Sequence, residues 1–129
     1  MELSALHFLV LTIALEKFMT TKNTSDYCLV MVTVSSKIEG EKIATALLTE
    51  KLAACINMTP VDSFYTWSEK INHDQEWQLL IKTRLNLFEQ LANQIKLIHS
   101  YDVPEIIALP ILAGSSSYLK WITESTKNV

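Results

Sequence analysis

Two cysteines and three histidines are the side chains of this chain best suited to bind a metal ion. Cys55 stands three residues before Met58, and thiolate and thioether sulfur are donors that suit monovalent copper. His99 is close in sequence to two carboxylates, Asp102 and Glu105. Cys55 and His99 are therefore the candidate metal ligands. Each also has a simpler interpretation, since a cysteine suits a packed core and a histidine suits the C-terminal end of a helix dipole.

A second group of this kind is formed by His73, Asp74 and Glu76. The segment 68–75 is polar, which favours the tip of a β-hairpin. Such a tip could hold a borderline ion, or its side chains could simply be solvated. No cysteine or histidine group has the compact spacing of a structural zinc site.

A larger set of aromatic and charged side chains forms the candidate ligand cleft. Tyrosine and tryptophan combine a large apolar area with one polar group, which suits pockets and subunit interfaces. Two interpretations stay open: interface packing that includes a lysine–glutamate pair, and a true ligand cleft. Both place the set between subunits. The set is Tyr65, Trp67, Lys82, Tyr101, Glu105, Tyr118 and Trp121.

Sequence motifs for catalysis are missing. No nucleophile elbow, Walker loop or dinucleotide-binding glycine pattern occurs, and with only two glycines in the chain a phosphate-cradling loop is not expected. Acylphosphatases hold phosphate through an arginine in the loop after their first strand, but the sole arginine here is Arg84. We therefore expect a binding protein with no organic cofactor. A general acid/base role for Glu105 in the cleft is the enzymatic alternative.

Composition limits the class of protein and its partners. A length of 129 residues fits one domain, and a hydrophobic fraction of 49 % is ample for a core. The net charge of −3 and the scattered lysines argue against nucleic-acid binding. The two cysteines make no disulfide framework, and free thiols are typical of a reducing compartment, so a cytoplasmic location is expected.

Hydrophobic periodicity divides the chain into four strands and three helices. Ser36 with Glu39, and Asn86 with Glu89, have the spacing of helix-capping pairs. A proline inside a predicted strand indicates a sheet edge or a bulge. The predicted strands are 28–34, 54–67 with an interruption at Pro60, 76–83, and 106–112 with Pro110, and the helices follow Ser36, follow Asn86 and cover 118–126.

The order β-α-β-β-α-β-α predicts an α+β fold, the ferredoxin-like plait (βαββαβ plus a C-terminal helix). Right-handed crossovers then favour the strand order four, one, three, two. Cys28 and Cys55 lie on strands that are not neighbours in that order, so a disulfide is not expected. Both main helices cover one face of the sheet, and one late helix covers little of the other. We therefore expect the chain to associate with copies of itself.

Residues 1–26 are predicted to be an N-terminal extension, apolar and then polar, outside a domain that covers 27–127. The apolar run 3–15 would span about 20 Å as a helix, less than the bilayer core of about 30 Å. It also lacks the positive flank of a secretory signal, and no membrane partner is expected for the domain. Either Met19 is the native initiator, or residues 1–18 are an accessory segment.

Five segments, taken in their order and spacing, resemble the CutA family of divalent-cation tolerance proteins. The resemblance covers residues 27–126. It implies a ferredoxin-like fold, a PII-like homotrimer, a link to copper and other divalent cations, and clefts between subunits lined by the aromatic and charged set named above. The segments are EKLAACIN (50–57), Tyr65–Trp67 with Lys70, LIKT (80–83), HSYDVPEIIALPI (99–111) and YLKWI (118–122).

Two residues depart from the family's pattern. Ser100 stands where proline is common, which should loosen the turn a little. Glu69 stands where glycine is common, which makes a left-handed backbone in the hairpin less favourable.

The expected function is that of a trimeric divalent-cation (copper) tolerance or metal-ion-response protein, with ions held weakly by carboxylates, imidazole and Cys55. The alternative is a PII-like regulatory trimer that binds a small ligand or a partner protein in intersubunit clefts. PII-type proteins carry a long flexible loop and glycine-containing phosphate contacts, and this sequence has neither.

Overall fold

The residues after Asp26 form an α+β arrangement in the predicted order of elements. The structure is a computed structural model that describes residues 4–7, 9 and 26–129. Met19 and most of the predicted extension therefore lie outside the described residues. The elements are β1 (Tyr27–Val34), α1 (Lys37–Thr49), β2 (Cys55–Trp67), β3 (Lys70–Arg84), a 3₁₀ turn (Leu85–Leu87), α2 (Phe88–Ile98), β4 (Ile106–Pro110) and α3 (Ser116–Ser125).

The four strands form one antiparallel sheet in the order β2-β3-β1-β4. This is the predicted order, read from the other edge, and it confirms the ferredoxin-like plait. Cys28 on β1 and Cys55 on β2 are separated by β3, and both are free thiols.

The core lies between one face of the sheet and the helices α1 and α2. Alternate residues of β1 and β3 point into it, and Val30, Val32 and Ile81 are fully buried. The helices contribute their apolar stripes, including Ile43 and Leu91. Because burying each such side chain is worth about 1.5–3 kcal/mol, this layer supplies most of the stability of a single chain.

One of the two predicted helix caps is present in the structure. The Ser36 hydroxyl accepts a hydrogen bond from the Glu39 backbone N–H at 3.2 Å, and Ser115 caps α3 in the same way. The predicted Asn86 cap is wrong, because a 3₁₀ turn precedes α2 and the capping position is Leu87, which makes no side-chain cap bond. Leu87 is fully buried, so apolar burial decides how the chain enters this helix.

The β2–β3 hairpin is longer than the sequence indicated. Pairing continues to Trp67 opposite Lys70, so the turn is only Ser68 and Glu69, and the predicted tip at 68–75 is wrong. Polar residues fit in these strands because both faces of the outer hairpin are exposed. Pro60 does not interrupt β2, since β2 is an edge strand whose outer side needs no N–H donor.

Replacing Glu69 by glycine is expected to stabilise the protein. Ser68 and Glu69 have φ values of 52° and 63°, in the left-handed region that costs a residue with a Cβ about 1–2 kcal/mol. Glycine also adds conformational entropy to the unfolded chain, which offsets part of this gain. The free energy of unfolding should therefore rise by about 0.5–1 kcal/mol. Thermal denaturation at one protein concentration measures it. Glu69→Gln is the matched control, and a glycine variant no more stable than Gln would contradict the expectation.

The second face of the sheet is only partly covered. Helix α3 packs over one end of it, where the Tyr27 hydroxyl meets Thr123 at 2.6 Å. Further along lies an apolar stripe that none of the described helices covers, in which Ile107 and Leu109 are 49 % and 41 % exposed. We call this stripe the open face, and it consists of Leu29, Met31, Leu80, Ile107 and Leu109. None of the helices in the described residues is long and apolar enough to cross a membrane.

Candidate functional site

A cleft of about 770 Å³ lies between the β2–β3 hairpin and the segment that joins α2 to β4. Its lining residues are mostly of two kinds, and no lysine or arginine is among those described. The aromatic ones are Phe64, Tyr65, Trp67 and Tyr101. The carboxylates are Asp62, Glu76, Asp102 and Glu105.

Glu76 is the most buried acid of the cleft, at 8 % exposure. The Tyr101 hydroxyl donates a hydrogen bond to its Oε2 at 2.7 Å. Burial, this hydrogen bond and the negative charge of Glu76 raise the pKa of the Tyr101 phenol far above its usual value. The phenol is therefore protonated at neutral pH, and it links the loop after α2 to β3.

His99 lies behind Tyr101, and its side chain is fully buried. Its Nε2 donates to the Thr33 carbonyl at 2.8 Å, and its Nδ1 accepts the Tyr101 backbone N–H at 3.0 Å. These partners assign the neutral tautomer with the proton on Nε2. His99 thus fastens the start of the 101–105 segment to β1. Metal ligation by either nitrogen would require one of these two bonds to break.

Ser100 does not loosen this turn, contrary to what its departure from the family pattern suggested. Its backbone N–H and hydroxyl both donate to the Glu39 carboxylate, at 2.8 and 3.0 Å. Proline has no N–H and could not make the first bond. Burial tends to raise the pKa of Glu39, but the hydrogen bonds from Ser100 and Ser35 outweigh this effect, so the pKa is lowered.

The hairpin wall of the cleft is built from cross-strand pairs. His73 stacks on Phe64, with ring centroids 4.2 Å apart, and its Nε2 lies 3.1 Å from Asp62. The Tyr65 hydroxyl donates to Asp74, which raises the pKa of that phenol. Since alternate residues of a strand point to opposite faces, His73 points away from Asp74 and Glu76, and the side chains of Asp62 and Phe64, which contact His73, point away from Glu76 as well. The predicted ion-binding group of these three residues is therefore not formed.

The predicted cleft residues divide into two groups within one chain. Tyr65, Trp67, Tyr101 and Glu105 line the cleft, whereas Lys82, Tyr118 and Trp121 lie near Cys55 at the other end of the sheet. Glu76 and Lys82 are six residues apart on β3, which corresponds to about 20 Å. One small ligand cannot contact both groups of the same chain.

The second group is organised around Cys55. Lys82 lies opposite Cys55 in the strand register and donates to the Asn57 side chain, so within the described residues it does not pair with Glu105. Burial raises the pKa of the Tyr118 phenol, and the adjacent Cys55, which shares a hydrogen bond with it, raises this pKa further. The Tyr118 ring also contacts Trp121, with centroids 5.5 Å apart.

The donors of a single chain do not fit a chelated metal ion. Among the described residues no three histidine, cysteine or carboxylate groups are close enough to hold one. Cys55 and Met58 are on opposite faces of β2, and Met58 packs against the core near Gly40. Cys28 is buried in the core, and this burial raises the pKa of its thiol to about 11. Cys55 and Met58 therefore do not form a soft-metal site together, and the Cys28 thiol belongs to the core.

Sequence reasoning left seven of the eleven lining residues out of the predicted cleft. They are Thr33, Asp62, Ser63, Phe64, Glu76, Asp102 and Val103. A correct hairpin register would have found Glu76, because it pairs with Val61 across the two strands and shares its face with Tyr65.

Comparison with known proteins gives one consistent family. Residues 28–125 match the model of the family described as CutA1 divalent ion tolerance protein. Protein CutA, chloroplastic, of Arabidopsis thaliana is 48 % identical over 100 residues, which are 77 % of this chain and 55 % of that protein. The Divalent-cation tolerance protein CutA of Thermus thermophilus is 45 % identical over 98 residues, 75 % of this chain and 95 % of that protein.

Solved structures agree with the sequence comparison. The crystal structure of CutA1 from Oryza sativa has a TM-score of 0.79 at 44 % identity, and the match covers 81 % of this chain and 96 % of that one. The periplasmic divalent cation tolerance protein CutA from Archaeoglobus fulgidus gives 0.77 at 39 % identity, covering 78 % and 99 %. The chain spans only 55 % and 62 % of the chloroplastic Arabidopsis and rice relatives.

Proposed function

The chain belongs to the CutA1 divalent ion tolerance protein family, and from this premise we propose that it is a homotrimeric, non-catalytic protein that binds divalent cations, copper among them. The observation that supports cation binding is the cleft with the carboxylates of Glu76, Asp102 and Glu105 and no lysine or arginine among its described lining residues. The family is named for ion tolerance and not for a reaction, which supports binding over catalysis by Glu105.

Cations are held loosely in this proposal. Because a single chain offers no three-ligand group among its described residues, attraction comes from the summed negative charge of the cleft and weakens as salt screens it. Cys55 and His99 remain the predicted specific ligands. Cys55 would need further donors from a neighbouring subunit, and His99 would have to release a backbone partner.

The open face supports the trimer. A sheet face with contiguous, partly exposed apolar side chains is typical of a protein–protein interface, and copies of the same chain are the simplest partner. The two groups of predicted cleft residues lie about 20 Å apart in one chain. They would form one site only if the first group of one subunit lies beside the second group of a neighbouring subunit. Two free thiols support a reducing location such as the cytoplasm, although relatives named chloroplastic and periplasmic occur.

Titration with copper while thermal unfolding is followed tests the cation proposal. A ligand that binds only the folded protein stabilises it by RT ln(1 + [L]/Kd), which is about 2.7 kcal/mol at a hundredfold excess over Kd. We expect a saturable rise in the unfolding temperature, larger with Cu²⁺ than with K⁺ at equal ionic strength. An unfolding temperature that stays constant from micromolar to millimolar copper would remove metal binding from the function.

A second candidate function is favoured by the aromatic side chains. A volume of about 770 Å³ is typical of small-molecule pockets and far exceeds what one metal ion needs. The aromatic side chains of Tyr65, Trp67 and Tyr101 line it, and a hydrated ion gains little from them. This observation favours a regulatory trimer that takes a small organic ligand in the cleft.

A further inference from the structure

We propose that the acidic, aromatic cleft binds an organic cation, specifically an aliphatic diamine or polyamine. The inference rests on the second candidate function and names the class of its ligand. Three features carry it: a buried carboxylate that keeps an accepting oxygen for the cleft, exposed aromatic rings beside it, and a lining that contains neither lysine nor arginine among the described residues.

Glu76 supplies the first feature. It is nine-tenths buried, and its Oε2 takes the Tyr101 hydroxyl. Its Oε1 makes no hydrogen bond with the described residues. Every fully buried side-chain oxygen among those residues has a hydrogen-bond partner, so Oε1 is not fully buried. Oε1 therefore keeps contact with the open volume of the cleft. A partly desolvated carboxylate of this kind has much to gain from a charged N–H donor.

The aromatic rings supply the second feature. Trp67 is 66 % exposed, and Tyr65 is 43 % exposed. Exposed rings in a concave site usually have a partner, and the faces of tryptophan and tyrosine attract ammonium groups within about 6 Å of the ring centroid. The methylene chain of an alkylamine would cover apolar ring area, while its ammonium groups meet the carboxylates.

The arrangement of acids distinguishes an amine from a metal ion. A metal needs several donors around one point, and the described residues offer no such group. Glu76, Asp102 and Glu105 instead contribute separate carboxylates to one volume of about 770 Å³, and an amine with two or more ammonium groups matches separated charges. Asp62 is already close to His73, so the other three acids are the main acceptors.

Isothermal titration of the full chain with spermidine tests the proposal. We expect wild-type protein to bind spermidine more tightly than Mg²⁺ at equal ionic strength. Glu76→Gln keeps the shape and loses the charge, and it should lower the spermidine affinity about tenfold or more. Trp67→Leu should lower the affinity for spermidine and leave that for Mg²⁺ unchanged, because only the amine uses the ring face.

Glu124→Gln is the matched control. It removes the same charge from an exposed position on α3, outside the cleft, where Glu124 faces Lys120 at 3.8 Å, and spermidine affinity should not change. If Glu76→Gln does not fold, Glu105→Gln at an exposed position of the cleft replaces it, with an expected loss of about threefold. Equal affinities of the cleft variants and the control would overturn the proposal.

The copper titration separates this inference from the cation proposal. Stabilisation by copper without spermidine binding would overturn the amine ligand and leave divalent-cation binding standing. Spermidine binding that depends on Glu76, in a protein that copper does not stabilise, would support the amine ligand and remove the metal function.

Discussion

Replacing Met31 by glutamate is expected to dissociate the proposed trimer into single chains. Met31 lies in the middle of the open face, opposite Leu80 on β3 and Ile107 on β4. A carboxylate placed there would be desolvated without a partner if this face packs against a second subunit, which costs several kcal/mol per chain. The molar mass measured by light scattering after gel filtration should fall to that of one chain.

Leu97→Glu is the control for this experiment. Leu97 is 80 % exposed on the solvent side of α2, so a new charge there should leave the molar mass of the assembly unchanged. A Met31→Glu protein with wild-type molar mass would show that the open face is not the subunit interface. A wild-type chain that is folded and monomeric in dilute solution would remove the trimer altogether.

Replacing His99 by leucine is expected to destabilise the protein by about 2–4 kcal/mol, because the change breaks two hydrogen bonds at a buried site. The Thr33 carbonyl loses its donor and the Tyr101 N–H loses its acceptor. Pairing between β1 and β4 ends at Val32, so β4 provides no backbone N–H that could replace His99 as the donor to the Thr33 carbonyl. Denaturant unfolding at a fixed protein concentration gives the change in free energy.

His99→Gln separates the hydrogen bonds from the packing. The amide group offers one donor and one acceptor, so part of the lost stability should return. Spermidine affinity should be higher in this variant than in the leucine variant, since the Tyr101 backbone N–H again has a hydrogen-bond acceptor that fixes it to β1. Equal stability of the leucine variant and the wild type would mean that His99 does not hold the 101–105 segment.

The fold was largely predictable because its signals are local. The alternating apolar residues of β1, the Ser36 cap and the handedness of the crossovers lead to the observed order of strands. The hairpin was the exception. Polar residues at 68–75 were interpreted as a loop, but an arm with two exposed faces accepts polar side chains in regular strands.

The site was predictable in part. Tyr65, Trp67, Tyr101 and Glu105 were named from a resemblance to a family, and they do line one cleft. The wrong hairpin tip hid the position of Glu76. The separation of Lys82 from that cleft follows from its distance along β3, which depends on a strand register that periodicity alone does not give.

The contrast between the two thiols gives the protein one site for chemical labelling. With a pKa of about 11, Cys28 is a thiolate in roughly one molecule in ten thousand at neutral pH, and only the thiolate is nucleophilic. Cys55 is half-buried at the far end of the sheet. A maleimide dye should therefore attach at Cys55 alone, so that a fluorophore reports on the Tyr118 end of each chain.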